Sequence, residues 1–79
     1  MKLAYVKWVD STYTAGQIAL DDIPPLIEVE TAGIFIREDD EQIVVALDYF
    51  DRQQDGRHIA QIPKVNIIRK QFFTIKEKK

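Results

Sequence analysis

Tyr5, Trp8, Tyr13, Phe35, Tyr49, Phe50, Phe72 and Phe73 are more aromatic rings than one small core needs in a chain of 79 residues. Arg37, Arg52, Arg57, Arg69 and Lys70 are interspersed with them. A flat ring stacks on any nucleobase, and a guanidinium or ammonium beside it neutralises phosphate, so this mixture has the chemistry of nucleotide or single-strand capture. On that chemistry Arg37, Arg57, Arg69 and Lys70 are the expected phosphate-holding groups, and Tyr13 or Phe35 the expected stacking ring. The same rings have a structural use as well. Trp8, Tyr49 and one of Phe72 and Phe73 would fill a core, and the rest would form a contact between copies of the chain. Both uses coexist if the ligand sits between subunits.

Other chemistries find little support. Gly16, Gly33 and Gly56 stand alone and make neither a phosphate cradle nor a dinucleotide fingerprint, and no nucleophile motif occurs. The carboxylates at 21–22 and 38–41 fall in turn sequence, with nothing apolar around them to raise a pKa for acid–base work. The run Glu38-Asp39-Asp40-Glu41 lacks the spaced ligands and glycine of a calcium loop and reads as a solvated turn. With no cysteine and a single histidine, no zinc constellation can be written, and His58 reads as a structural imidazole rather than a base or ligand. The expectation is a protein without cofactor or metal that is not an enzyme. Self-association is then the remaining source of extra stability for so small a chain.

The elements that must position these residues are strands. Residues 3–10 alternate apolar and polar side chains, as a half-buried strand does. Residues 11–25 carry Ser-Thr, Ala-Gly, Asp-Asp and Pro-Pro punctuation and predict a long loop with a short helical turn around 17–21. Residues 26–37 form a second strand with Ile27 and Val29 inward, Glu28 and Glu30 outward, and a bend or bulge at Gly33. After the acidic turn, residues 42–50 are apolar on both faces, so this third strand is sandwiched or lies at a subunit contact. The polar connection 51–56 ends in Asp55-Gly56, a pair suited to a turn with positive φ. Residues 57–62 and 66–75 are the fourth and fifth strands, and Pro63-Lys64 between them predicts a single 3₁₀ turn. The expected fold is all-β, a small five-stranded SH3-like or Sm-like barrel over residues 1–75, with a basic tail at 76–79.

Charge is unevenly spread. Residues 1–63 hold Lys2, Lys7, Arg37, Arg52 and Arg57 against twelve acids, whereas Lys64, Arg69, Lys70, Lys76, Lys78 and Lys79 face only Glu77. Such a basic end either guards an edge strand against aggregation or supplies phosphate contacts. The N-terminal residues lack a signal-peptide pattern and no stretch is long enough for a membrane span, so the cytoplasm is the expected location and no membrane is an expected partner.

Three stretches, Val6-Lys7-Trp8-Val9-Asp10-Ser11, Glu30-Thr31-Ala32-Gly33-Ile34 leading to Asp39 and Asp40, and Ile62-Pro63-Lys64, resemble a group of small uncharacterised phage and prophage proteins of Gram-positive bacteria. That group carries Gly-Trp in the first loop where this chain has Gly16-Gln17. A looser similarity is to Sm-like proteins, through the bend glycine, the acidic turn and the apolar third strand. The resemblance implies a viral origin and the host cytoplasm as setting. The leading expectation is an oligomeric, non-enzymatic barrel that captures a nucleotide or single-stranded nucleic acid between subunits. Two alternatives stand beside it: a protein-binding inhibitor of a host protein, acting through the long loop and the acidic turn, and a structural or assembly component of the virion.

Overall fold

β-branched and aromatic residues at period two make ribbons with one apolar face, and such ribbons are stable only when several pair and cover that face. A computed structural model describes residues 1–50 and 52–76. They form one antiparallel sheet of five strands: β1 (Lys2–Asp10), β2 (Ile27–Glu38), β3 (Gln42–Phe50), β4 (Asp55–Pro63) and β5 (Ile67–Thr74). The spatial order is β4-β3-β2-β1-β5, so the last strand returns to lie beside the first. Strands β4 and β5 are the two edges, and the sheet is open between them. Single 3₁₀ turns occupy Leu20–Asp22 in the long loop and Lys64–Asn66 just after Pro63.

β2 serves two neighbours in succession. Its first part, from Ile27 to Ile34, pairs with β1, and its second part, from Ile34 to Glu38, pairs with β3 across a bulge at Ile36. The two pairings overlap at Ile34, and at Gly33 beside it a Cβ would lie 2.7 Å from the Ala46 carbonyl oxygen and 2.8 Å from Val45 Cγ1. No side chain fits that gap without displacing backbone, so Gly33 answers to a close approach of main chains, and the bulge expected there falls three residues further on, at Ile36.

The core is thin. Ala4, Val6, Ile43, Val45 and Ile62 are buried together, with Trp8, Phe35, Ala60, Ile67 and Phe72 packed against them. Val44 and Ala46 are buried on the opposite face of β3, so the expected doubly apolar character holds for residues 43–46. It fails beyond them: Leu47 is 64 % exposed and Tyr49 and Phe50 are exposed, because β3 past Ala46 pairs only with β4 and has no cover. Tyr49 therefore does not fill the core, contrary to the expectation from its strand position. Ile27, expected inward, is 59 % exposed, since only β1 lies beside this end of β2. Trp8 and Phe72 take their expected core places, the indole Nε1 donating to Thr31 Oγ1 at 3.0 Å.

Residues opposite each other in an antiparallel pair share a face. The registers Phe73–Leu3, Leu3–Ile34, Ile34–Ala46 and Ala46–Ile59 thus lay one apolar row across all five strands, on the face away from the core. Phe73 and Ile59, its ends, are exposed at the two sheet edges. The overall dimensions carry the same mark. The radius of gyration is 16.1 Å, against about 12 Å for a compact domain of this length. Accessible surface is 6692 Å², against about 4,900 Å² for a globular chain of this mass.

Positive φ occurs at Gly16, Gln54 and His58. The hairpin between β3 and β4 thus takes its left-handed residue at Gln54, while Gly56 lies within β4, where a Cβ would meet Ile59 Cδ1 at 2.7 Å. His58 is exposed on β4 with its backbone at φ 56°, so its feature is main-chain conformation rather than a packed imidazole.

Gly33→Ala is expected to destabilise the fold by about 1–3 kcal/mol, the range for forcing an extra methyl into packed surroundings. Urea unfolding followed by Trp8 fluorescence measures it, and an unchanged midpoint would refute the main-chain contact.

Candidate functional site

Two concave places gather residues of the kind that hold ligands. The first is a cleft of about 370 Å³ formed by Phe35, Ile36 and Arg37 of β2, Tyr49 of β3 and Gln54 of the β3–β4 connection. The β2 bulge lies inside this set: the extra residue Ile36 breaks the ladder between Phe35 and Arg37 and locally turns the strand. Arg37 is exposed, and none of the ion pairs or hydrogen bonds among the described residues uses its guanidinium. Its charge is a minor contributor to the lowered pKa of the Asp39 carboxyl. Phe35 is half-buried and meets Phe72 edge-on, ring centroids 5.2 Å apart, with Lys2 Nζ 4.8 Å from its centroid. That ring is already in contact on several sides. Tyr49 is the more exposed aromatic of the cleft and the better stacking surface.

The second place is a groove of about 350 Å³ along the β5 edge, lined by Lys64, Ile67, Ile68, Arg69 and Lys70. It forms at a bulge, since Trp8 pairs with Ile67 and Lys7 with Arg69, leaving Ile68 over. Its cations have partners on both faces of β5. Glu38 Oε2 lies 2.6 Å from Lys70 Nζ and 2.9 Å from Lys64 Nζ, and the Arg69 guanidinium lies 5.6 Å from the centroid of the Tyr5 ring. Tyr5 in turn donates its hydroxyl hydrogen to Glu30 Oε1 at 2.6 Å.

The six residues expected to act together are thus dispersed. Phe35 and Arg37 meet in the cleft; Arg69 and Lys70 meet in the groove. Arg57 is occupied elsewhere, its Nε donating to Asp48 Oδ2 at 3.1 Å and its guanidinium 5.2 Å from the Phe50 ring. Tyr13 stands in the long loop, 90 % exposed, and lines neither place. Tyr49 and Gln54 were not expected in the site. The sequence marks Tyr49 only as an aromatic at a core-like position, and nothing marks Gln54.

The acidic turn proves to be built rather than merely solvated. Asp39 Oδ1 accepts from the backbone N–H of Glu41 at 2.8 Å and of Gln42 at 3.0 Å, and the Asp39 N–H donates to the Gln42 carbonyl. The Lys64 N–H donates to the Glu41 carbonyl at 2.9 Å, which fastens the turn to the 3₁₀ segment. Among the described residues no group of three His, Cys, Asp or Glu side chains is placed to hold a metal ion, and no helix is long and apolar enough to cross a membrane. Comparison with known protein families, curated proteins and solved structures finds no match to this chain.

Glu38 and Asp39 both have carboxyl pKa values below their ordinary 4.5 and 3.8. Hydrogen bonds from Lys70 and then Lys64 lower the first, and backbone N–H groups of Glu41 and Gln42 lower the second. A depressed folded-state pKa stabilises the fold fully above the unfolded value, and that contribution is lost as pH falls through the folded one. Stability should hold down to about pH 5 and decline below it. Glu38→Gln should flatten part of that decline in urea midpoints taken across the acid range; parallel curves for the two proteins would remove Glu38 from the account.

Proposed function

We propose that this chain is a non-enzymatic binding protein that takes a nucleotide-type ligand, an aromatic base with an attached anion, in the Phe35–Arg37–Tyr49–Gln54 cleft. The observation that carries this reading is an exposed arginine outside the ion pairs of the described residues, next to an accessible tyrosine ring in one concavity. Arg37 supplies the charge-assisted contact to phosphate and Tyr49 the stacking plane. The scaffold is a small barrel of SH3-like or Sm-like type with its last seam open. The return of β5 to β1, the switch of partners beside Gly33 and the 3₁₀ turn after Pro63 support that assignment. On the resemblance to phage and prophage proteins, the proposed setting is the cytoplasm of a bacterial host and the proposed ligand a host nucleotide.

A second reading, docking of the long loop on another protein, is favoured by that loop's exposed apolar residues Tyr13, Ile18, Leu20, Ile23 and Leu26.

The ligand reading is tested by titrating the protein with adenosine monophosphate, cyclic adenosine monophosphate and a labelled oligothymidylate at two salt concentrations. Salt-sensitive binding is expected, weakened about tenfold or more in Arg37→Ala through loss of a charged hydrogen bond, and in Tyr49→Ala through loss of a stacking plane. Arg57→Ala, whose guanidinium sits on Asp48, should bind nearly as the parent does. Absence of salt-sensitive binding to all three probes would overturn the reading.

A further inference from the structure

The long loop and the β5 groove are complementary in both charge and apolarity. Residues 11–26 are all exposed, Leu20 at 82 %, and the 3₁₀ turn Leu20–Asp22 presents Asp21 and Asp22 between Leu20 and Ile23. No Lys or Arg lies in this segment. Pro24-Pro25 follows and restricts its backbone, which lowers the entropy lost on docking. The groove offers the counterpart: Ile67 and Ile68 flanked by Lys64, Arg69 and Lys70, with exposed Val65 adjoining. Glu38 cancels one of the three positive charges there, leaving two against the two aspartates of the turn.

We infer that the Leu20–Ile23 segment of one copy docks in the β5 groove of a second copy, with Leu20 and Ile23 against Ile67 and Ile68 and the two aspartates beside Arg69, Lys64 and Lys70. The chain's own loop is not seated in its own groove, since its apolar residues stand in solvent. A second copy is the occupant because this chain carries both the plug and the socket, and because its surface has the matching surplus. The 6692 Å² exposed exceeds the expectation for this mass by about 1,800 Å². That is about two half-interfaces of standard size, at about 800 Å² each. A head-to-tail contact consumes two different patches on every copy, so it closes into a ring or runs on as a filament. This inference stands apart from the ligand reading, because mass is measured with no ligand present.

Native mass spectrometry and sedimentation velocity of the full chain, at roughly 100 µM to exceed micromolar dissociation constants, read the outcome. The parent should assemble, and Asp21→Lys/Asp22→Lys and Arg69→Glu should each be monomeric with unchanged circular dichroism. Mixed one to one, the two variants should form a heterodimer, the parental loop of the second meeting the parental groove of the first. A monomeric parent, which would leave the loop for the same chain or a foreign protein, overturns the inference. So does assembly that survives both reversals, which would place the contact elsewhere.

Discussion

The close approach of β2 to β3 at Gly33 is the constraint on which the rest of this sheet depends. One strand must pair first with β1 and then with β3, and the handover takes place at Ile34, beside the point where the Ala46 carbonyl lies too near for any Cβ. Ala4 is the register partner of Gly33 on β1, and Val45 lies against it from β3, so the strands that supply Ala4, Val6, Ile43 and Val45 to the core converge there. The steric demand falls on Gly33, whose missing side chain lets the main chains of β2 and β3 approach closely.

That economy leaves little to hold the ends of the strands. The end remote from the β3–β4 hairpin tip is fastened by polar means: the Asp39 turn, the Glu41 carbonyl and the Glu38 carboxylate between Lys64 and Lys70 tie β2, the 3₁₀ segment and β5 together. Single exposed ion pairs contribute little, but one carboxylate shared by two ammonium groups, with backbone bonds alongside, is a small network rather than an isolated pair. At the opposite end Arg57 lies on Asp48 in an exposed ion pair, and it is there that Leu47, Tyr49 and Phe50 are exposed. The unburied surface is therefore not scattered. It lies in the hairpin, in the long loop and along the β5 edge, the parts from which a ligand cleft and a contact between copies can be made.

Much of the fold was legible because it is written in local pattern. The apolar run of β3 is bounded by an acidic turn and a polar connection, and its limits of 42 and 50 follow directly. Pro63 cannot donate to a ladder, and the 3₁₀ turn begins at the next residue. Gly33 suggests a bend or bulge, and the bulge lies three residues further on, at Ile36. What local pattern does not contain is which side of a strand is covered: Ile27 and Tyr49 look like core residues and are exposed because the neighbouring strand ends or turns away. The clamp at Glu38 joins residues 32 positions apart and has no signature in the chain. Of the candidate site, Phe35 and Arg37 were visible as an aromatic and a cation two apart on one strand. Tyr49 and Gln54 join them only through the curl of a hairpin, and Arg57 and Lys70 leave the set because nearby acids claim them.

Amide hydrogen exchange on the full chain tests the central claim most directly. If the crossing at Gly33 organises the sheet, the slowest amides will lie in residues 4–6 and 43–46, and those of the hairpin at 47–58 will exchange far faster. Protection as strong in the hairpin as in residues 43–46, or a slowest set that avoids the crossing, would contradict the account.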